Sequence, residues 1–251
     1  MSDALTSSTP RRGFIGRLVA GAAAAAGSTF LSRNLGALPL SSPAPSAAPS
    51  SAEWDMSWVD RLTGKHKQVF DSPEIVQGTA LTQTRTWLNG YAAVYGAKPS
   101  EMSAVLVIRH AAIPMILNDA MWDELDLGNA LADKDGDSKP IPRTVLRDPV
   151  SGAPARRNPF LSRNMTGDAK YAMLNYPNAG FDALMADGVI VLGCDLALRR
   201  PIGMIMRREK VDNATARAKV LANILPGVII MPSGIFATSR AQEAGCTFMN
   251  A

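Results

Sequence analysis

Gly188-Val189-Ile190-Val191-Leu192-Gly193 is an unbroken apolar run that ends at Cys194 and gives way to a helical pattern at Leu196. It shows no alternation of apolar and polar residues, so it reads as a strand covered on both faces, the mark of a parallel sheet. Two further stretches have the same character: Ala104 to Ile108 (AVLVI) and Val228 to Met231 (VIIM). Weaker strand signals lie at Lys65 to Phe70 (KHKQVF) and at Cys246 to Met249, close to the end of the chain.

Helical patterns fill the spaces between. Ser72-Pro73-Glu74 offers an N-cap and a first-turn proline for a helix from Ile75 to Tyr95, along which Ile75, Leu81, Trp87, Leu88, Tyr91 and Val94 recur at helical spacing. Ile113 to Trp122 reads as a second helix, and Ala169 to Ala186 as a third, broken near Tyr176-Pro177. Leu196 to Arg208 follows, with an interruption at Pro201. Asn213 caps Ala214 to Ile224, and Ser233-Gly234 opens Ile235 to Ala244. Strand alternating with helix predicts a single-domain α/β fold: an open, mostly parallel sheet of about five strands with helices on both faces. The crossovers should be right-handed.

The N-terminal stretch differs in kind. Arg11 and Arg12 precede Phe14 and Ile15, and Leu18 to Phe30 is apolar and uncharged. A positive region, an apolar region and then small residues is the order of a secretory leader, and the arginine pair fits the twin-arginine pattern. The apolar run is weak for a membrane span. Residues 1–35 are therefore expected to be a twin-arginine signal read by its translocation machinery, with export to the periplasm and a tether if the leader stays uncleaved. Residues 36–63 read as a Ser/Pro/Ala-rich linker and lead-in, and 64–251 as the folded domain. Within it, 126–167 carries five prolines and little periodicity, and reads as a long insertion.

The net charge of +4 resides mostly in the leader, whose first fifty residues hold four Arg and one Asp. What remains is close to neutral, which argues against a nucleic-acid-binding surface. Neither G-x-G-x-x-G nor a P-loop is present, and no C-x-x-C pair occurs. Asp133-Lys134-Asp135-Gly136-Asp137 lacks the Gly and Glu spacing of a calcium loop, and His66 and His110 make no metal pattern. No metal is expected, and no cofactor is identified.

In open α/β sheets ligands bind beyond the carboxyl ends of the strands. Three such ends carry chemistry: Arg109-His110, Cys194-Asp195 and Pro232-Ser233-Gly234. Cys194, between a strand and a helix, is the candidate reactive group, because a helix N-terminus favours a thiolate. Asp195 would oppose that if its carboxylate faced the sulfur. The alternative is a buried, inert cysteine. Arg109, His110, Asp195, Ser233 and Gly234 are the candidate ligand-binding residues: a cation, an acid–base group, a carboxylate, and a helix start able to meet a small anion. A disulfide between Cys194 and Cys246 is a further option.

Leu225-Pro226-Gly227-Val228 through Pro232-Ser233-Gly234, then Arg240-Ala241-Gln242-Glu243-Ala244-Gly245, resembles the C-terminal part of DsrE-like proteins. Val189 to Cys194 with the helix after it resembles the strand-cysteine-helix of the same family. The resemblance implies the α/β fold, a homo-oligomer, and for some members a sulfur relay through a persulfide on the cysteine matching Cys194. A non-catalytic small-ligand-binding or assembly module of the same fold is the competing expectation.

Overall fold

A computed structural model describes residues 54–134, 137–140, 144–167 and 169–251. Five strands form one all-parallel sheet: β1 (His66–Ser72), β2 (Met102–Ile108), β3 (Ile190–Cys194), β4 (Ile229–Met231) and β5 (Thr247–Asn250), in the order β4-β3-β2-β1-β5. The stretches with the least polarity take the inner positions. β2 is central, and Ala104 to Ile108 is buried throughout, as is all of β3. β5, at one edge, is exposed along its length.

Chain order explains the layering. From β1 to β4 the strands step in one direction, and the intervening helices share one face. These are α1 (Thr79–Tyr95), α2 (Asp119–Glu124), α3 (Leu127–Ala130), α4 (Phe181–Ala186), α5 (Arg199–Glu209) and α6 (Asn213–Ala222). The last crossover runs back past β1. Crossovers of one hand that reverse direction must use the other face, and α7 (Gly234–Glu243) lies there. Its Ala237 and Ala241 pack on Val69, Val105, Val107, Ile190, Leu192 and Met231. The small side chains bring the helix close to the β-branched surface.

Trp58 and Leu62 complete that second core. Part of the stretch read as linker and lead-in therefore belongs to the domain: Ser57–Arg61 forms a short 3₁₀ turn whose Trp58 is fully buried. Arg11, Arg12 and Phe14, read from the sequence as a signal motif, lie outside the described residues.

Several helix boundaries differ from expectation. α1 starts at Thr79, not Ile75, because Ser72 is still paired in the sheet with Ile108 and its hydroxyl donates to Glu74 O. A 3₁₀ turn follows, with Val76 at φ 33° and Gln77 at φ 55°. Val94, counted on the apolar face, is exposed. The helix expected over Ile113–Trp122 is split into a 3₁₀ stretch (His110–Ile116), which contains Pro114, and α2, capped by Asn118. Between Ala169 and Ala186 only the end is α-helical; a 3₁₀ turn at Pro177–Ala179 precedes α4. Pro201 does not interrupt α5. It is the third residue of the helix, where the N–H has no intrahelical partner to lose. Asp212, not Asn213, caps α6 by accepting from Thr215 N.

The insertion contains α3 and a 3₁₀ turn at Ser162–Met165, and the rest of it is folded onto the core largely by side chains. Phe160, Leu161 and Met165 are buried among the residues beneath α1 and α4. Asn158, fully buried, donates through Nδ2 to Met115 O and Leu117 O, both at 2.7 Å, and accepts from Phe160 N. Asp119 collects Asn158 N, Asn164 Nδ2 and the Arg163 guanidinium. Gly128 of α3 sits where any Cβ would lie 2.4 Å from Ala155 N, so two parts of the insertion meet backbone to backbone. The acidic run beginning at Asp133 falls partly outside the described residues, at 135 and 136.

Candidate functional site

All five strands end at the same edge, and the register places the candidate residues there. Gly193 pairs with Ile108, so one step further brings Cys194 level with Arg109 on the neighbouring strand, about 5 Å away. Cys194 in turn pairs with Met231 on β4, just before Pro232 and Ser233. A cleft of about 210 Å³ opens at this point, lined by Arg109, His110, Cys194, Leu196, Ala197, Ser233, Gly234 and Ile235. Five of the six candidate residues thus come together.

The sixth does not. Asp195 turns away from the cleft, and its Oδ1 takes a hydrogen bond from Arg217 Nη2 at 2.6 Å. The carboxylate beside the cysteine in sequence is therefore engaged by a cation on α6 and is not among the cleft residues.

Arg109 is held by a residue that the sequence reading passed over. Its Nε and Nη2 donate to Asp71 Oδ1 and Oδ2, each at 2.7 Å. Asp71 is buried, and its own backbone carbonyl accepts from Ala251 N, so it is fixed from two sides. Hydrogen bonding to Asp71 raises the Arg109 pKa above its ordinary value; burial opposes this, and the charges of Asp71, Cys194 and Glu74 add to it. Extending the first strand past Phe70 to Asp71-Ser72 would have put this carboxylate at the same edge.

Gly234 is required by the same arginine. A Cβ there would stand 2.6 Å from both Cβ and Cδ of Arg109. The aliphatic stem of Arg109 thus lies flat against the first residue of α7. Ser233 caps that helix, its Oγ accepting from Phe236 N at 3.1 Å. The hydroxyl proton remains available to the cleft.

His110 sits at φ 51°, a left-handed conformation uncommon for a residue with a Cβ. Such strain is found where surrounding structure over-determines a functional position. The imidazole is largely exposed and lies 3.4 Å from Glu74 Oε1. It forms the mouth of the cleft rather than its floor.

Cys194 is 6% exposed and unbridged. It is not at the start of an α-helix as expected. A four-residue 3₁₀ turn, Asp195–Leu198, separates it from α5, so the full dipole of α5 does not begin at the sulfur. Leu196 and Ala197 of that turn form one wall, and Ile235 of α7 the other.

Cys246 belongs elsewhere. It precedes β5 at the amino end of the sheet, with β1 and β2 between it and β3, a lateral separation of about 14 Å. A disulfide needs Cβ atoms about 4 Å apart, so a Cys194–Cys246 bridge is incompatible with this fold. Burial pushes the Cys246 thiol above its ordinary pKa, with Lys67 opposing. His66 packs on Tyr91 with ring centroids 4.4 Å apart.

Among the described residues no cluster of His, Cys, Asp and Glu has the makings of a metal site, and no helix is long and apolar enough to cross a membrane. The chain matches no protein-family model and no curated protein sequence.

Proposed function

We propose that this is an exported, DsrE-like protein that binds a small sulfur-bearing ligand in the carboxyl-edge cleft, with Cys194 as the group that takes up sulfur. The observation that carries the reading is the convergence of Cys194, Arg109, His110, Ser233 and Gly234 on one cleft at the strand ends. In the step envisaged, the Cys194 thiolate attacks the outer sulfur of a persulfide donor. The donor's S–S bond breaks, a Cys194 persulfide forms, and the donor departs as its thiolate. No electrons are gained or lost overall, so no redox partner is needed.

The test uses the domain carrying Cys246→Ser, incubated with a small organic persulfide and read by intact mass. The expected result is the gain of one sulfur atom, removable by a reducing thiol and absent in Cys194→Ser. No gain in the Cys246→Ser chain overturns the proposal. Export is tested separately: with Arg11→Lys and Arg12→Lys together, the protein should be retained in the cytoplasm.

A second reading, a non-catalytic ligand-binding module, has its own support. Cys194 is buried and Arg109 is committed to Asp71, so the cleft also suits a ligand held by shape. Retained ligand binding in Cys194→Ser would favour it.

A further inference from the structure

The charge of the cleft decides which ligands it admits. Arg109 is a cation on its wall, but the Nε and Nη2 edge of its guanidinium faces the Asp71 carboxylate, with both bonds at 2.7 Å. The side chain of Asp71 is 7% exposed, so solvent screens the pair weakly. Two more polar contacts lie close by: the His110 imidazole is 3.4 Å from the Glu74 carboxylate at the mouth, where both side chains are exposed, and Asp195 is paired with Arg217 beside the cleft. The rest of the lining is carbon-rich, from Leu196, Ala197, Gly234 and Ile235. The rim continues in kind, with Leu196, Ile235 and Phe236 all exposed.

We infer that Asp71 is a specificity-determining residue: by neutralising Arg109 it makes the Cys194 cleft selective for uncharged, apolar sulfur compounds and excludes inorganic sulfur anions. This rests on the reading of Cys194 as a reactive thiol. Asp71 acts through Arg109 and is a positioning residue, not a catalytic one. A free guanidinium on the wall of so small a cleft would attract thiosulfate or sulfite strongly, because a unit charge in a partly buried site acts with an effective dielectric far below that of water. The two-point pair removes that attraction and leaves apolar contact to select the ligand. The sulfur carrier that fits is thus a neutral one with a short hydrocarbon body: an organic persulfide in its protonated form or a thiosulfonate ester.

Two methanethiosulfonate reagents of one chemistry test this, methyl methanethiosulfonate (neutral) and its sulfonatoethyl analogue (anionic). In each reaction the Cys194 thiolate attacks the sulfenyl sulfur, methanesulfinate leaves, and a mixed disulfide forms. Rates are measured on the full chain carrying Cys246→Ser and divided by those of the same chain unfolded in urea, which cancels intrinsic reactivity. The folded protein should favour the neutral reagent over the anionic one by at least about tenfold after this correction. In Asp71→Asn the unmasked Arg109 should raise the corrected rate of the anionic reagent by a similar factor. Arg109→Gln, which removes the cation, should not. An anionic reagent that reacts as well as the neutral one in the wild-type cleft overturns the inference while leaving Cys194 reactive. If neither reagent reacts with the folded protein, the reading of Cys194 falls, and this inference with it. Should Asp71→Asn fail to fold, the wild-type ratio and Arg109→Gln still decide.

Discussion

Arg109 and Asp71, the first beyond the end of β2 and the second near the end of β1, form a two-point ion pair whose Nε–Oδ1 and Nη2–Oδ2 distances are both 2.7 Å. The pair does two things. It ties together the carboxyl ends of the neighbouring strands β1 and β2, and it sets Arg109 where Gly234 and Cys194 share its surroundings. Because Asp71 is almost wholly buried, removing the cation leaves an uncompensated carboxylate. Arg109→Ala is therefore expected to cost about 2–3 kcal/mol, measured by urea unfolding, more than an exposed ion pair would. A loss below about 0.5 kcal/mol would mean that water takes over the role of the guanidinium.

Gly234→Ala offers a test by sign. At a helical position with room for a methyl group, Gly→Ala stabilises a protein by about 0.4–1 kcal/mol through the unfolded chain. Here the new Cβ would meet Arg109 Cβ and Cδ at 2.6 Å. One of these is fixed to the backbone and cannot swing away. The expected outcome is destabilisation by about 1–3 kcal/mol in thermal or urea unfolding. Stabilisation would show that Arg109 does not lie where described.

The strands were legible because burial on both faces leaves a plain mark. Ala104 to Ile108 and Ile190 to Leu192 have no polar residue to place, so their position in the middle of a parallel sheet follows from composition. The edge residues were legible for the same reason: once the strands are found, Arg109, Cys194 and Ser233 fall at their carboxyl ends. What could not be read depends on residues far apart in the chain. Ser72-Pro73 has the local chemistry of a helix start, yet pairing with Ile108 keeps it in the sheet. Asp195 looks from sequence like a neighbour of the sulfur, and Arg217, twenty-two positions away, decides that it is not. The insertion looked irregular because its order comes from Asn158 reaching backbone carbonyls some forty residues earlier. No local pattern of propensity or periodicity records such a bond.

Asn158 supplies the next test. Its side chain satisfies two carbonyls and one N–H in a place that water does not reach. Asn158→Ala leaves three backbone groups unpaired, each worth about 1–3 kcal/mol when buried. The expected loss is about 3 kcal/mol or more in urea unfolding. It should be accompanied by faster proteolysis within 126–167 in the native protein. Unchanged proteolysis would mean that the apolar contacts of Phe160 and Leu161 suffice to hold the segment.

Asp148 makes the insertion sensitive to acid. Burial pushes its pKa up, but hydrogen bonds from Arg157, Ser151 and Val150 outweigh that and hold it well below the usual carboxylate range. A carboxyl group with a depressed folded-state pKa binds fewer protons than its unfolded counterpart. Its stabilisation is therefore complete above the unfolded value of about 4 and is lost as the pH falls towards the folded one. Asp148→Asn should be less stable than the wild type by about 2 kcal/mol at pH 7. That gap should narrow steadily below pH 4. A gap independent of pH would assign the effect to packing rather than to charge.

The two cysteines are expected to behave differently because they sit at opposite ends of the sheet. Cys246, whose thiol is pushed up by burial, should resist iodoacetamide at pH 8 until the chain unfolds. Cys194 opens onto a cleft and should react in the folded state. A single modification per chain, lost in Cys194→Ser and retained in Cys246→Ser, is the expected pattern by mass. Mild oxidation should give no intramolecular bridge, since about 14 Å of sheet separates the two strands. A loss of two hydrogens from the monomer mass, reversed by a reductant, would contradict the strand order itself, because no smaller rearrangement brings the two sulfur atoms together.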